Sequence, residues 1–170
     1  MDTTALLSYL IALIFAFFGV GSDTPSRVTE ANATTTAEVL TVTDGDTITV
    51  RLASGEEATV RYIGIDTPEP YRDGTPACGA RDASTKNESL VEGQTVTLVA
   101  DVEDTDRFGR LLRYVYIDDV FVNETLIREG YARSLMIQPN TRFAATFADL
   151  ERVAVANKRG IWSRCTHESS

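Results

Sequence analysis

Histidine and cysteine are scarce in this sequence of 170 residues. The one histidine, His167, lies in a polar tail, so a Ser-His-Asp triad or a histidine-based zinc site lacks its essential group. The two cysteines, Cys78 and Cys165, are too few for a four-cysteine metal cluster. Aspartate and glutamate together number 25, and their oxygens favour calcium or magnesium over zinc. Any metal centre is therefore expected to be a carboxylate site for a hard cation.

Lysine is also rare, with only Lys86 and Lys158, and the formal net charge is −9. An acidic, lysine-poor composition is typical of halophilic proteins, and the alternative is an ordinary acidic extracellular protein. Taken alone, this charge disfavours a nucleic-acid partner, because polyanions are repelled. Concentrated salt would screen that repulsion and leave local arginines to act.

The sequence contains no apolar run of membrane-spanning length. Residues 6–20 are apolar, which is short of the roughly 20 residues that a span needs. We expect residues 1–22 to be a signal peptide or an N-terminal membrane anchor, which places the protein outside the cell, secreted or attached to the outer face of the membrane. The alternative is a buried core helix. Residues 23–37 are predicted to be a flexible Thr/Ser/Ala-rich linker, residues 38–165 the folded domain and 166–170 a polar tail.

From Glu38 onward, alternation of apolar and polar residues predicts β-strands. The predicted strands are 39–42, 47–52, 58–65, 94–101, 111–117 and 120–121, with 131–137 extended. The predicted helices are 80–91, 124–129 capped by Asn123, and 141–158 capped by Thr141, in which Phe143, Phe147, Leu150 and Ala154 form a core stripe. This order predicts a small antiparallel barrel with helices packed on it.

Two acidic segments flank the predicted third strand. The first reads Asp44-Gly45-Asp46-Thr47, and the second runs from Arg61 to Asp66-Thr67-Pro68-Glu69. Asp46 and Asp66 lie at strand ends, so a hairpin or small barrel would bring them together as an oxygen-lined cation site. Arg61 and Glu69 would then be left for chemistry. Taken singly, each aspartate is better explained as a turn residue that binds its own backbone, and only the joint appearance of these groups favours a site.

These segments, together with Asp106-Arg107-Phe108-Gly109-Arg110 and Gly160-Ile161-Trp162-Ser163, resemble the staphylococcal nuclease (thermonuclease) family over residues 38–165. The resemblance implies an α+β domain, a five-stranded OB-fold β-barrel with three packed α-helices. It also implies a calcium-dependent endonuclease that hydrolyses DNA and RNA, prefers single strands and leaves 3′-phosphate products by in-line attack of water. We expect the protein to be a monomer.

The resemblance also assigns roles to individual residues. One Ca²⁺ would be held by the side chains of Asp46 and Asp66 and the carbonyl of Thr67. Glu69 would orient or deprotonate the attacking water. Arg61 and Arg110 would bind the phosphate, and Arg107 and Phe108 would contact the substrate.

The sequence departs from the family pattern at two places. Leu135 and Ile137 stand where the family places tyrosines, and the loop 70–77 has Arg72 as its one basic residue where the family is lysine-rich. Stacking of a base on an aromatic ring contributes about 1–3 kcal/mol, so weaker binding of nucleotides and long DNA is expected. The alternatives are a catalytically silent OB-fold module that binds nucleic acid or protein, and a carbohydrate-binding barrel.

The two cysteines are expected to form a disulfide in an exported chain, and free thiols would be expected in a cytosolic one. Asn32, Asn87 and Asn123 each begin an Asn-X-Ser/Thr tripeptide, the acceptor sequence for glycosylation.

Overall fold

The structure, a computed structural model, describes residues 34–69 and 75–165. The predicted leader over 1–22, the first part of the predicted linker, loop residues 70–74 with Arg72, and the tail with His167 lie outside the described residues. Within the described ranges, no helix combines the length and apolar character that crossing a membrane requires.

The described chain forms eight strands and four helices. The strands are β1 Thr34–Val42, β2 Thr47–Leu52, β3 Glu57–Tyr62, β4 Ile65–Asp66, β5 Thr95–Val99, β6 Leu111–Ile117, β7 Val120–Phe121 and β8 Arg133–Ser134. The helices are α1 Ala80–Val91, α2 Val122–Arg128, α3 Ala144–Ala156 and the single turn α4 Ile161–Arg164.

Five of the strands close into a barrel. The order β3-β2-β1-β5-β6 is antiparallel, and a parallel pairing between β3 and β6 completes the ring, with Arg61 opposite Leu112. The two residues of β7 pair antiparallel with the end of β6. Strands β4 and β8 pair separately as a short antiparallel ribbon. The predicted five-stranded barrel with three packed helices is therefore confirmed.

The barrel interior and the helix faces above it form one core. Along β2, Ile48 and Val50 are fully buried, as the alternating pattern predicted. On α3, Phe147 and Ala154 are buried, and Leu150 and Phe143, the residue just before the helix, pack partly buried against the core. The predicted helical stripe is therefore a packing surface.

The first strand begins earlier than predicted. Strand β1 starts at Thr34, so residues 34–37 of the predicted linker are part of the barrel. These residues pair with β5, with Thr34 opposite Val99. Their threonine-rich sequence resembles a linker because the outer face of a sheet also accepts small polar side chains.

Two predicted helix caps were wrong. Helix α2 begins at Val122, so Asn123 lies inside it rather than before it. The Asn123 side chain is fully buried, accepts a hydrogen bond from the Val115 N–H at 2.9 Å and donates to the carbonyl of Ile63 at 2.9 Å. It therefore joins α2 to the barrel. Helix α3 begins at Ala144, so Thr141 is not its cap.

The structure also bears on the two cysteines and on the three Asn-X-Ser/Thr tripeptides. A disulfide joins Cys78 to Cys165, which confirms the predicted pair. Asn87 and Asn123 are fully buried, so neither offers an amide to glycosylation in the folded domain. Asn32 lies outside the described residues.

Candidate active site

The carboxylate of Asp46 is buried at the end of the β1–β2 turn. Its Oδ2 accepts hydrogen bonds from both the N–H of Thr67, at 2.8 Å, and the Thr67 hydroxyl, at 2.9 Å. Its Oδ1 accepts from the Thr47 hydroxyl at 3.2 Å. The turn itself is held by Asp44, whose Oδ1 accepts from the Asp46 N–H at 3.0 Å. Asp46 is thus fixed by residues of two separate segments.

The guanidinium of Arg61 lies between two carboxylates. Its Nη1 is 3.1 Å from Asp46 Oδ1, and its Nη2 is 3.2 Å from Asp66 Oδ1. Nη1 also donates to the carbonyls of Tyr62 and Ile65, at 3.1 and 2.9 Å. The structure therefore brings Arg61, Asp46 and Asp66 together as the sequence suggested. Their roles toward a metal and a phosphate stay predictions.

The pKa of Asp46 is raised to about 7, because burial, with a smaller contribution from the nearby Asp44, outweighs the lowering by Arg61 and by the hydrogen bonds from Thr67. One guanidinium therefore does not fully compensate this buried carboxylate. A second positive charge at the site would stabilise its ionised form.

The oxygen atoms at this site fit a hard cation. Asp46 and Asp66 share one guanidinium, and Asp66 remains about half exposed. No group of three or more His, Cys, Asp or Glu side chains within the described ranges could hold a metal ion. A cation bound here would therefore complete its shell with backbone carbonyl, water or substrate oxygens, as magnesium and calcium commonly do.

Close packing against helix α1 holds the acidic turn in place. A Cβ on Gly45 would lie 2.7 Å from Thr67 Oγ1 and 2.8 Å from Ala83 Cβ, so a larger residue does not fit between them. The buried Asn87 accepts from the Tyr62 hydroxyl at 3.0 Å and donates to the carbonyl of Asp44 at 3.0 Å. Sequence reasoning missed Asn87. The available clue was an asparagine in register with the buried residues of α1.

Arg110 is positioned by its own loop. Asp106 Oδ1 accepts from the amides of Phe108 and Arg110, at 2.9 and 3.0 Å, and its Oδ2 accepts from Arg110 Nε at 2.7 Å. Burial alone would raise the pKa of Asp106, but these hydrogen bonds outweigh it and lower the pKa. Asp106 was part of the recognised motif, but sequence reasoning gave it no role.

Phe108, beside Arg110 in the same loop, is an exposed aromatic residue, with 69% of its surface accessible. Two guanidinium groups lie near its ring: Arg107 Cζ at 4.6 Å and Arg110 Cζ at 5.6 Å from the centroid. Such contacts hold a guanidinium group in place without neutralising its charge.

A pocket of about 480 Å³ is lined by both Arg61 and Arg110. Its lining includes Arg61, Arg107, Phe108, Arg110, Leu135 and Ile137. Arg61 and Arg110 reach the same pocket because the parallel β3–β6 pairing places Arg61 opposite Leu112. Leu135 and Ile137 present exposed apolar surface there.

Glu69 is exposed. Its carbonyl accepts a hydrogen bond from the Ala77 N–H at 3.1 Å. Its carboxylate forms no hydrogen bond or ion pair with the described residues. Glu69 follows Asp66 by three positions in the sequence, and its role as the general base stays a prediction.

A closed five-stranded barrel whose strand ends carry an arginine-bridged pair of carboxylates defines an α+β domain of the OB-fold class. The chain belongs to the family described as "Staphylococcal nuclease homologue", which matches residues 59–164.

Several relatives are similar over most of the chain. "Endonuclease YncB" of Bacillus subtilis (strain 168) is 41% identical over 124 residues, 71% of this chain and 58% of that protein. "Thermonuclease" of Staphylococcus hyicus is 36% identical over 129 residues, 75% of this chain and 76% of the relative. "Thermonuclease" of Staphylococcus intermedius is 31% identical over 165 residues, 95% and 98% of the two chains. This chain thus spans just over half of the Bacillus protein and nearly all of the last relative.

Proposed function

We propose that this protein is a calcium-dependent nuclease that hydrolyses phosphodiester bonds in DNA and RNA. The observation that carries the proposal is the guanidinium of Arg61, which bridges Asp46 and Asp66 and also lines a pocket shared with Arg110. The names of the relatives, an endonuclease and thermonucleases, agree with it. A phosphodiester is an anion, and its hydrolysis needs positive charge placed in advance around the phosphate.

The metal would be one Ca²⁺ held by the carboxylates of Asp46 and Asp66 and the carbonyl of Thr67. When bound, it would neutralise phosphate charge and favour attack by water. The amide and hydroxyl of Thr67 keep Asp46 in position for this task. Because both donors of Thr67 bind Asp46, its carbonyl is the group left to face a cation.

The two arginines would bind the phosphate. Arg110 uses Nε to bind Asp106, and its two terminal nitrogens make no hydrogen bond within the described residues. That arrangement orients the outer edge of the guanidinium for two hydrogen bonds to one phosphate. Arg61 would contact the same phosphate from the Asp46–Asp66 side of the pocket.

Glu69 would be the general base that orients or deprotonates the attacking water. Its carboxylate is exposed and carries no partner among the described residues, so it is available to accept a proton. The only histidine of the chain, His167, lies far along the sequence in the polar tail.

Substrate preference follows from the pocket. Leu135, Ile137 and Phe108 offer apolar surface beside the arginines, and a base reaches such a surface only after it leaves a stacked duplex. Single strands are therefore the proposed substrates, with 3′-phosphate products.

We place the protein outside the cell or on the outer face of the membrane, as a monomer. The disulfide supports an oxidising location.

The test is a digest of labelled single-stranded DNA and RNA with calcium or with a chelator, at low and at molar salt. Wild type should cleave only with calcium. Glu69→Gln should lower kcat by about 10²–10⁴-fold, the usual contribution of a general base. A matched control is Glu57→Gln, because Glu57 is bound to Arg51 at the other end of the β2–β3 hairpin. Binding without calcium-dependent cleavage at any salt would instead support the silent OB-fold module.

A further inference from the structure

Two arginines near the site are held by aromatic rings rather than by carboxylates. Eight of the twelve described arginines form an ion pair with an aspartate or glutamate, and the other four, Arg81, Arg107, Arg133 and Arg159, form none with the described residues. Arg107 lies over Phe108, and Arg133 Cζ is 5.0 Å from the ring centroid of Trp162.

Arg133 lies directly opposite Asp66. The two residues pair in the antiparallel β4–β8 ribbon, so their side chains leave the same face of it. The Asp66 carboxylate nevertheless binds Arg61, at 3.2 Å, and forms no ion pair with Arg133. Arg133 is exposed, and its guanidinium has no carboxylate partner within the described ranges.

Trp162 accounts for this arrangement. It lies in helix α4, which the disulfide at Cys165 ties to the segment before α1. A cation–π contact with the Trp162 ring thus takes the place of an ion pair between Arg133 and Asp66.

The segment that carries Arg133 continues into the pocket. Beyond β8, the Leu135 N–H donates to the carbonyl of Gly64 at 2.9 Å, and Leu135 and Ile137 line the pocket wall. Arg107 also lines the pocket, and Arg61 both lines it and binds Asp66. Arg61 through its ion pair and Arg133 through the strand pairing are thus both neighbours of Asp66.

We propose that Arg133 binds a second phosphate of the substrate, on the strand that continues past the phosphate held at Arg61. This inference rests on the proposed function, because it assumes that the pocket takes a nucleic-acid strand. The ligand is a phosphodiester of single-stranded DNA or RNA, which a guanidinium recognises through paired hydrogen bonds.

The test is the salt dependence of binding. Dissociation constants for a labelled single-stranded oligonucleotide of about 12 nucleotides are measured in chelator over a range of NaCl. One lost phosphate contact reduces the slope of log Kd against log salt by about 0.7 for a single strand. Arg133→Gln should show that reduction, and Arg133→Lys should keep the wild-type slope.

The matched control is Arg51→Gln, which makes the same change in net charge. Arg51 lies on β2 at the far end of the hairpin from Arg61 and is paired with Glu38 and Glu57. Its slope should equal that of wild type. A dinucleotide, which has a single phosphodiester, should bind wild type and Arg133→Gln equally. Thermal unfolding of Arg133→Gln verifies that the variant is folded.

The outcomes separate the two proposals. An unchanged slope for Arg133→Gln, or an equal loss of affinity for the dinucleotide, overturns the role of Arg133 even if the protein cleaves DNA. A reduced slope in a protein that shows no calcium-dependent cleavage supports the Arg133 contact and overturns the proposed nuclease activity. Wild type that binds no oligonucleotide overturns the Arg133 contact.

Discussion

Thr67 gives both of its hydrogen-bond donors to a single oxygen of Asp46, at 2.8 Å from the amide and 2.9 Å from the hydroxyl. Thr67→Val keeps the shape and the amide but removes the hydroxyl. Because a hydrogen bond to a charged group contributes about 1.5–3 kcal/mol, we expect a loss of unfolding free energy in that range. Chemical denaturation measures it. Thr67→Ser, which keeps the hydroxyl, is the control, and equal stability of the two variants would contradict the prediction.

Removal of the shared guanidinium should destabilise the metal-free protein. Arg61→Gln leaves Asp46 and Asp66 without their common partner, and breaking a buried ion pair costs about 3–5 kcal/mol. We expect a loss of that order in chelator and a partial recovery in saturating calcium, which would supply the missing positive charge. Denaturant unfolding under both conditions checks this.

The exposed ion pairs of Arg51 supply the control for that experiment. Arg51→Gln should change stability by no more than about 1 kcal/mol, as is usual for surface pairs. If Arg61→Gln were no less stable than Arg51→Gln in chelator, the ion pair between Arg61 and Asp46 would not stabilise the fold.

Asp106 should make the domain sensitive to acid. Its lowered pKa means that the native state favours the carboxylate, so its stabilising contribution is present above the unfolded value of 3.8 and is lost as the pH falls through the lowered folded value. Asp106→Asn should therefore be less stable than wild type at neutral pH, and the difference should shrink at about pH 2. Thermal unfolding across this range tests it, and a difference independent of pH would contradict it.

Reduction of the disulfide should lower stability substantially. Cys78 and Cys165 are separated by 87 positions, and closure of a loop of this length contributes about 4–5 kcal/mol in the chain-entropy model. Wild type with and without reductant is compared with the Cys78→Ser/Cys165→Ser variant. Reductant should lower the melting temperature of wild type to near that of the variant and leave the variant unchanged. An equal shift in both proteins would point to another cause.

An aromatic ring in the pocket should strengthen nucleotide binding. Ile137→Tyr offers a stacking surface where the pocket now presents an aliphatic side chain, and stacking contributes about 1–3 kcal/mol per base. Affinity for a single-stranded oligonucleotide should rise by about 5- to 150-fold. Met136→Tyr is the control, because Met136 is exposed on the same segment but does not line the pocket. Equal gains would show that any added aromatic suffices.

Much of the barrel could be predicted because its strands alternate regularly. Strand β2 and the Asp44-Gly45 turn combine a clear period of two with a tight-turn sequence. The α1 boundaries were also predicted correctly, since Gly93 follows the last apolar residue of the helix. Local sequence determines these elements.

Other features depend on distant partners and could not be read locally. Asn123 has the residue type of a helix cap, but its amide instead joins Val115 to Ile63 in the interior. Asn87 in a helix resembles a surface residue or a glycosylation site until the Tyr62 hydroxyl is known to lie opposite. Both contacts depend on the order of strands around the barrel, and a short stretch of sequence does not reveal that order.

The parallel pairing of β3 with β6 links the integrity of the fold to the integrity of the site. Val60, Arg61 and Tyr62 pair with Leu111, Leu112 and Arg113, so Arg61 and Arg110 become neighbours only across the seam of the barrel. A chain that has formed the β1–β2–β3 meander but has not yet sealed this seam holds the acids without the second guanidinium. The proposed cleavage of nucleic acid is therefore expected only from the closed barrel, and it should appear together with the last barrel contact.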